Sequence, residues 1–143
     1  MKTFITRHWG ELDKEVLQIL EAHPGLWDTI TKEDLLHTDF YDVLDENGNL
    51  VALFGNAHWN NNGETECCLC CVYVKEEHRR KGIFKKIVHY TVNHNSDAAC
   101  ISIGAMDGND LAFDIYSKMF KLSHHDEETR GTWFLIKDRR SRP

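Results

Sequence analysis

Arg79, Arg80, Lys81, Lys85 and Lys86 place five cations within eight residues of a chain whose formal net charge is -6. They lie where an apolar strand pattern gives way to a helical one, beginning near Gly82. A helix N-terminus carries the positive end of the macrodipole and disfavours neighbouring cations. A bound polyanion explains their concentration there, held by the free N–H groups of the first turn and by the side chains. Gly82 meets a second requirement, a backbone with no side chain in the way of a close-lying ligand. The glycine spacing and the lack of a Lys-Ser/Thr pair exclude a Walker loop. On the residues alone, an anion cradle and a solvated basic helix end both stay open.

Cys67, Cys68, Cys70 and Cys71 form the other concentration of reactive side chains, in a chain with five cysteines and nine histidines. In a strand, Cys67 and Cys71 would point to one face and Cys68 and Cys70 to the other, so four thiolates could not converge on a metal. A Cys-x-x-Cys pair with a distant second pair is also missing. The thiols are expected to be reduced, small core hydrophobes, with no metal site. His124 and His125 read as a surface pair near a strand.

The elements that must position these residues follow from periodicity. Thr3 to Thr6 reads as a short strand, and Asp13 to Ala22 as an amphipathic helix with Val16, Leu17, Ile19 and Leu20 on one side. A second helix starts at Thr31-Lys32-Glu33-Asp34, where Thr31 can cap. Phe40 to Asp45 and Leu50 to Phe54 form a hairpin around Glu46-Asn47-Gly48-Asn49. Asn60 to Gly63 is a further turn, leading into Glu66 to Val74, an apolar run suited to a strand buried on both faces. A helix over Gly82 to Val92, a strand over Ala99 to Ile103 and a helix over Asn109 to Phe120 follow, the last with Leu111, Ala112, Ile115 and Met119 inward. Thr132 to Ile136 is a final strand, with one more near Lys121 to His125, before a polar tail over 138–143. The order describes a mixed α/β (α+β) sheet flanked by helices, in a single domain over 1–143.

Val72-Tyr73-Val74-Lys75-Glu76 followed by Arg79-x-x-Gly82-x-Phe84 resembles the acyl-CoA signature of the GNAT superfamily of N-acetyltransferases, with Phe84 where a small residue is usual. Asn109, Ala112 and Tyr116 match the family's downstream Asn-x-x-Ala-x-x-x-Tyr, although the usual Gly-Phe after that helix appears as Met119-Phe120. The resemblance covers nearly the full chain. It implies a central sheet of six to seven strands with about four helices and a splayed strand pair at the cofactor site. It also implies acetyl-CoA as cosubstrate. Val72 and Val74 would pair with the pantetheine arm, with the acetyl carbonyl near Cys71 or Val72. Arg79, Arg80, Lys81, Gly82, Ile83 and Phe84 would hold the pyrophosphate, and Asn109 would bond the pantetheine region. Tyr116 would lie beside the sulfur and protonate the departing thiolate as a neutral amine attacks the thioester directly.

Family members often carry a carboxylate or histidine on the cofactor strand as base. Strand alternation places Glu66, Cys68, Cys70, Val72 and Val74 on one face. Cys68 stands where a glutamate is common, so Glu66 is the candidate base, with His58 at the end of the adjoining strand as the other; either would act through water. Trp9, Trp27, Trp59, Phe40 and Tyr41 lie in segments resembling the family's acceptor side. The acceptor is expected to be a small-molecule or peptide amine. A non-catalytic acyl-CoA binder or a protein-interaction member of the same fold is the alternative.

Hydrophobic residues at 41% and charged residues at 28% describe an ordinary globular chain. The acidic balance argues against general nucleic-acid affinity, which needs a basic face. No apolar run approaches the roughly 20 residues of a membrane helix, and the first residues lack the apolar stretch of a signal peptide. A cytoplasmic protein is expected, with homodimers frequent among its relatives.

Overall fold

The computed structural model describes residues 2–8, 12–23 and 37–140. In chain order they form β1 (Phe4–Arg7), α1 (Lys14–Ala22), β2 (Thr38–Leu44), β3 (Leu50–Asn61), β4 (Glu64–Val74), α2 (Ile83–His94), β5 (Cys100–Met106), α3 (Asp110–Met119), β6 (Lys121–Asp126) and β7 (Gly131–Asp138). Three α-helices therefore stand among the described residues, against the four expected. The helix expected at Thr31 falls outside those residues.

The strands make one seven-stranded sheet in the order β1-β2-β3-β4-β5-β7-β6. Every neighbouring pair is antiparallel except β4 and β5. The hairpins behave as their turns dictate. Asp45 Oδ1 accepts the N–H groups of Asn47 and Asn49, each at 2.9 Å, and steers β2 into β3. Asn62 and Gly63 both have positive φ and close a two-residue loop between Asn61 and Glu64, so β3 runs seven residues past the expected end at Phe54.

The core lies on both faces of this sheet. Ile83 and Ile87 of α2, with Tyr116 and Phe120 at α3, pack against Val43, Val51, Leu69, Ile103 and Phe134. On the opposite face, Val16 of α1 packs with Leu50 and Leu53, while Leu20 lies against the cluster of Phe40, Cys68, Cys70 and Cys71. Phe40 and Tyr41 are both buried, and Tyr41 stacks on Phe54 at 4.9 Å. These two rings are core, not the lining of an open pocket; Trp9 and Trp27 lie outside the described residues.

The expected inward stripe of α3 is corrected by the structure. Leu111 is 71% exposed, and Ile115 and Met119 are also exposed. Ala112 faces the sheet as expected, with Tyr116 beside it, while Phe113 is 45% exposed although its ring meets Phe134 edge-on at 5.6 Å. The spacing of apolar residues fitted two stripes, and the one carrying Ala112 and Tyr116 is inward.

No helix among the described residues is long and apolar enough to cross a membrane.

Candidate functional site

The site begins with a ladder that stops. The parallel pairing of β4 with β5 runs from Glu66 opposite Cys100 to Leu69 opposite Ile103, and no further. Beyond Leu69, β4 contains an extra residue relative to β3: its register passes from Cys70 to Tyr73 while β3 moves only from Gly55 to Leu53. Cys71 sits there with φ 52°, a conformation costly for a residue other than glycine. This bulge bends the strand away from β5 and leaves the backbone of Cys71 and Val72 without a partner strand on that side.

Two readings of β4 are corrected by the bulge. Alternation alone put Val72 and Val74 on the face of Glu66, Cys68 and Cys70; the extra residue inverts the parity. Val72 and Val74 pack toward α2 and α3, whereas Cys70 and Cys71 both lie in the cluster on the α1 face. Cys71 therefore does not share a face with Cys67, which packs with Ala98 and Ile101. All five thiols are free and buried. Burial pushes Cys67 up to about 12 and Cys68 higher still, so these are protonated thiols at neutral pH. Among the described residues, the one group of side chains close enough to share a cation is His8, Asp13 and Asp42, remote from the cysteine strand in sequence.

The gap between the strands is a cleft of about 80 Å³, bordered by Cys70, Cys71 and Val72 of β4, Gly104 of β5, and Ala112 and Tyr116 of α3. Tyr116 is held by rings on three sides: Phe84 stacks at 5.7 Å, Phe134 meets it edge-on at 6.0 Å and Phe120 lies at 6.1 Å. Burial raises the phenol to about 12, so it enters any reaction as a proton donor. Asn109 caps α3, its Oδ1 accepting the N–H of Ala112 at 3.2 Å. That bond uses the carbonyl end and leaves the amide end able to donate toward the cleft it borders.

The basic turn lies between the end of β4 and the start of α2. Gly82 is the N-cap of α2 with φ 78°, and a Cβ built there would meet no atom within 4 Å. Arg80 also has positive φ, at 63°. Two left-handed residues this close lead the chain into the first turn of α2, whose free N–H groups suit an anion. Arg80 and Lys81 form no ion pair with any described residue, whereas two neighbours are already committed. Arg79 Nε donates to the Val74 carbonyl at 2.9 Å with its guanidinium 5.8 Å above the Tyr73 ring, and Lys86 Nζ donates to Thr3 Oγ1 at 2.6 Å. Arg79 thus braces the turn against β4, and Lys86 ties α2 to the first strand. Ile83 is buried in the core, while the Phe84 ring reaches Tyr116, linking the anion end of the site to the cleft.

Glu66 lies on the α1 face, four residues and roughly 13 Å along β4 from Cys70 at the usual strand rise. Its two oxygens accept from Trp59 Nε1 and Asn61 Nδ2, both at 3.2 Å. Trp59 is directly opposite Glu66 in the β3–β4 ladder, which is why both point to the same face. They border an open groove of about 430 Å³ that also touches Cys68, Asp126, Trp133 and Arg140. His58 is opposite Cys67 and points to the other face, its Nε2 2.6 Å from Asn95 Oδ1 and its Nδ1 3.8 Å from Asp39 Oδ2. His58 is inside β3, not at its end, and does not line the groove.

Sequence reasoning missed the bulge at Cys71 and the close approach of Trp133 to Gly104. Cysteine gives no hint of a left-handed conformation, as asparagine or glycine would. The register that sets Trp133 against Gly104 arises only when β7 inserts between β5 and β6.

A mixed sheet opened between its two parallel strands, with a glycine-led helix start at the mouth of the opening, defines a GNAT-like architecture. The model of the acetyltransferase (GNAT) family matches residues 7–120, and the chain belongs to that family. No curated protein sequence matches it. Among solved structures, a Bacillus subtilis acetyltransferase in complex with CoA is similar, with 19% identity, 94% of this chain and 97% of that chain covered, and a TM-score of 0.69. A GNAT family acetyltransferase from Elizabethkingia anophelis with acetyl-CoA bound has 13% identity, the same coverages and a TM-score of 0.70. A spermidine/spermine N-acetyltransferase from Vibrio cholerae has 15% identity, with 94% and 95% covered and a TM-score of 0.60.

Proposed function

We propose that this protein is an N-acetyltransferase that moves an acetyl group from acetyl-CoA to a primary amine by direct attack. The observation that carries the reading is the cleft between β4 and β5, with unpaired backbone on one wall, a protonated phenol on the other and an anion cradle at its mouth. These features fit the donor in order. The N–H groups around Arg80 to Phe84 and the side chains of Arg80 and Lys81 receive the pyrophosphate, with Gly82 giving it room. Arg79 acts by holding the turn. The backbone of Cys71, Val72 and Val74 offers hydrogen bonds to the amides of the pantetheine arm, and the Asn109 amide adds another.

The donor supplies a thioester carbonyl as electrophile and a thiolate as leaving group. Tyr116 donates its proton to that thiolate as the C–S bond breaks. The amine attacks in its neutral form from the α1 face. Glu66 reaches it only through water; its carboxylate draws the cationic acceptor into the groove and takes up the released proton by that route. The overall charge of -6 suits such an acceptor. The acceptor class is a small-molecule or peptide amine, and nucleic acid and membrane are not expected partners. A cytoplasmic location and a homodimer belong to the same reading.

The stacking of Phe84 on Tyr116 supports a second reading, in which the phenol is a packing group and the protein binds acyl-CoA without catalysis. Thiol release from acetyl-CoA in the presence of a panel of amines separates the two. The enzyme reading expects amine-dependent release that collapses in Tyr116→Phe. Acetyl-CoA binding without release for any amine would favour the binder.

A further inference from the structure

Trp133 belongs to neither the cradle nor the cleft wall, yet it lies against both strands that separate. It is opposite Gly104 in the β5–β7 ladder, so the two residues share the α1 face. A Cβ built on Gly104 would come within 3.0 to 3.2 Å of three ring atoms of the indole. The ring is thus laid flat on a backbone with no side chain. Trp133 also packs against the cluster containing Cys68, Cys70 and Cys71 of β4. It therefore bridges β4 and β5 on the α1 face at the level where their ladder has already ended at Leu69 and Ile103.

Gly104, Cys70 and Cys71, which the indole backs on the α1 face, also border the donor cleft, whereas Trp133 and Cys68 border the open groove. The indole is accordingly the partition between the two spaces. We infer that Trp133 sets the length of the acyl group this protein accepts. A chain extending beyond the thioester has the closed ladder below it and the indole behind it. A short acyl group fits within these limits; each further methylene must displace the ring or leave the cleft.

Interiors are packed at crystal-like density, so a wall of this kind discriminates by size. One methylene is worth about a factor of 10 or more in a well-formed apolar pocket. Trp133→Ala removes the partition and joins the two spaces, while leaving the cradle at Gly82 untouched.

The inference rests on the proposed acyl-CoA site, and a binding experiment distinguishes its failure from the failure of that site. Affinities of CoA, acetyl-CoA and hexanoyl-CoA are measured by calorimetry for the wild type, Trp133→Ala and Trp133→Phe. The wild type is expected to bind hexanoyl-CoA at least tenfold more weakly than acetyl-CoA. Trp133→Ala should erase that difference with CoA affinity unchanged. Trp133→Phe, a milder change that secures the test should the alanine variant misfold, should narrow it. Equal binding of the two acyl-CoAs by the wild type would overturn the inference, as would a ratio unchanged in variants that still bind CoA. Wild-type protein that binds no CoA would overturn the donor site itself and this inference with it.

Discussion

At the scale of single residues, Tyr116 and Glu66 carry different parts of the proposed chemistry. Tyr116 is raised to about 12 by burial, against an ordinary value of 10.0. It therefore stays protonated across the range in which amines become nucleophilic. We expect Tyr116→Phe to lower kcat by roughly 10²- to 10⁴-fold, the usual contribution of a positioned acid, while the dissociation constant for acetyl-CoA changes little. The wild-type rate should rise as the amine deprotonates and should show no fall through pH 10, where an exposed tyrosine would be half ionised. A fall centred near 10 in the pH–rate profile would show that the phenol is not the shielded donor described above. Glu66→Gln keeps the shape of the carboxylate and one acceptor oxygen for Trp59 Nε1 or Asn61 Nδ2, and removes the charge. The expected result is a raised KM for cationic amines and a smaller effect on neutral thioester binding. Of these two residues, Tyr116 was legible because a second motif placed it in register with Asn109. Glu66 was legible only as a strand residue, since its distance from Cys70 depends on where β4 bulges.

At the scale of elements, the sheet was legible and its irregularities were not. Alternation and turn chemistry gave β1 to β4 and both hairpin turns, because Asn-Gly pairs and apolar runs act locally. The bulge at Cys71 and the inner face of α3 were decided by contacts between distant segments. Gly55 shows how close those contacts are. A Cβ there would lie 2.8 Å from Thr38 Cγ2 and 3.2 Å from Cys70 Sγ, one residue from the bulge. Gly55→Ala should cost about 1–3 kcal/mol by overpacking, read from urea unfolding. A second fixed point joins α2 to the sheet. The buried Asn56 amide donates to Thr91 Oγ1 at 3.1 Å and accepts from Asn95 Nδ2 at 3.0 Å, while Asn95 also meets His58. Asn56→Ala removes the donor to the buried Thr91 Oγ1 and one of the two acceptors of Asn95 Nδ2, and should destabilise the protein by about 1–3 kcal/mol. Because the same network sets the far end of the helix that begins at Gly82, its loss should also weaken CoA binding.

At the scale of the whole molecule, the buried acids predict a response to alkali. Tyr41 and Tyr116 are raised from 10.0 to about 12, and Cys67 from 9.0 to about 12, in each case chiefly by burial. The unfolded chain would release these protons at lower pH than the folded one. Stability is therefore intact below pH 9 and is lost progressively as pH rises from 9 through 12. Thermal melting followed between pH 7 and 11 should show a level region and then a steady decline; a constant melting temperature to pH 11 would contradict the burial of these groups. The proposed donor cleft has its polyanion cradle at the turn before α2, and everything proposed about the chemistry depends on that cradle. The most direct test is the affinity for CoA, measured by calorimetry, of the wild type and of Gly82→Val. Open space surrounds Gly82, so the substitution should fold, at a cost of about 1–2 kcal/mol for a side chain in a left-handed conformation. The predicted result is specific binding by the wild type and a loss of at least a hundredfold in the variant, whose far-ultraviolet circular dichroism stays unchanged. Equal CoA affinity in the two folded proteins would contradict the account.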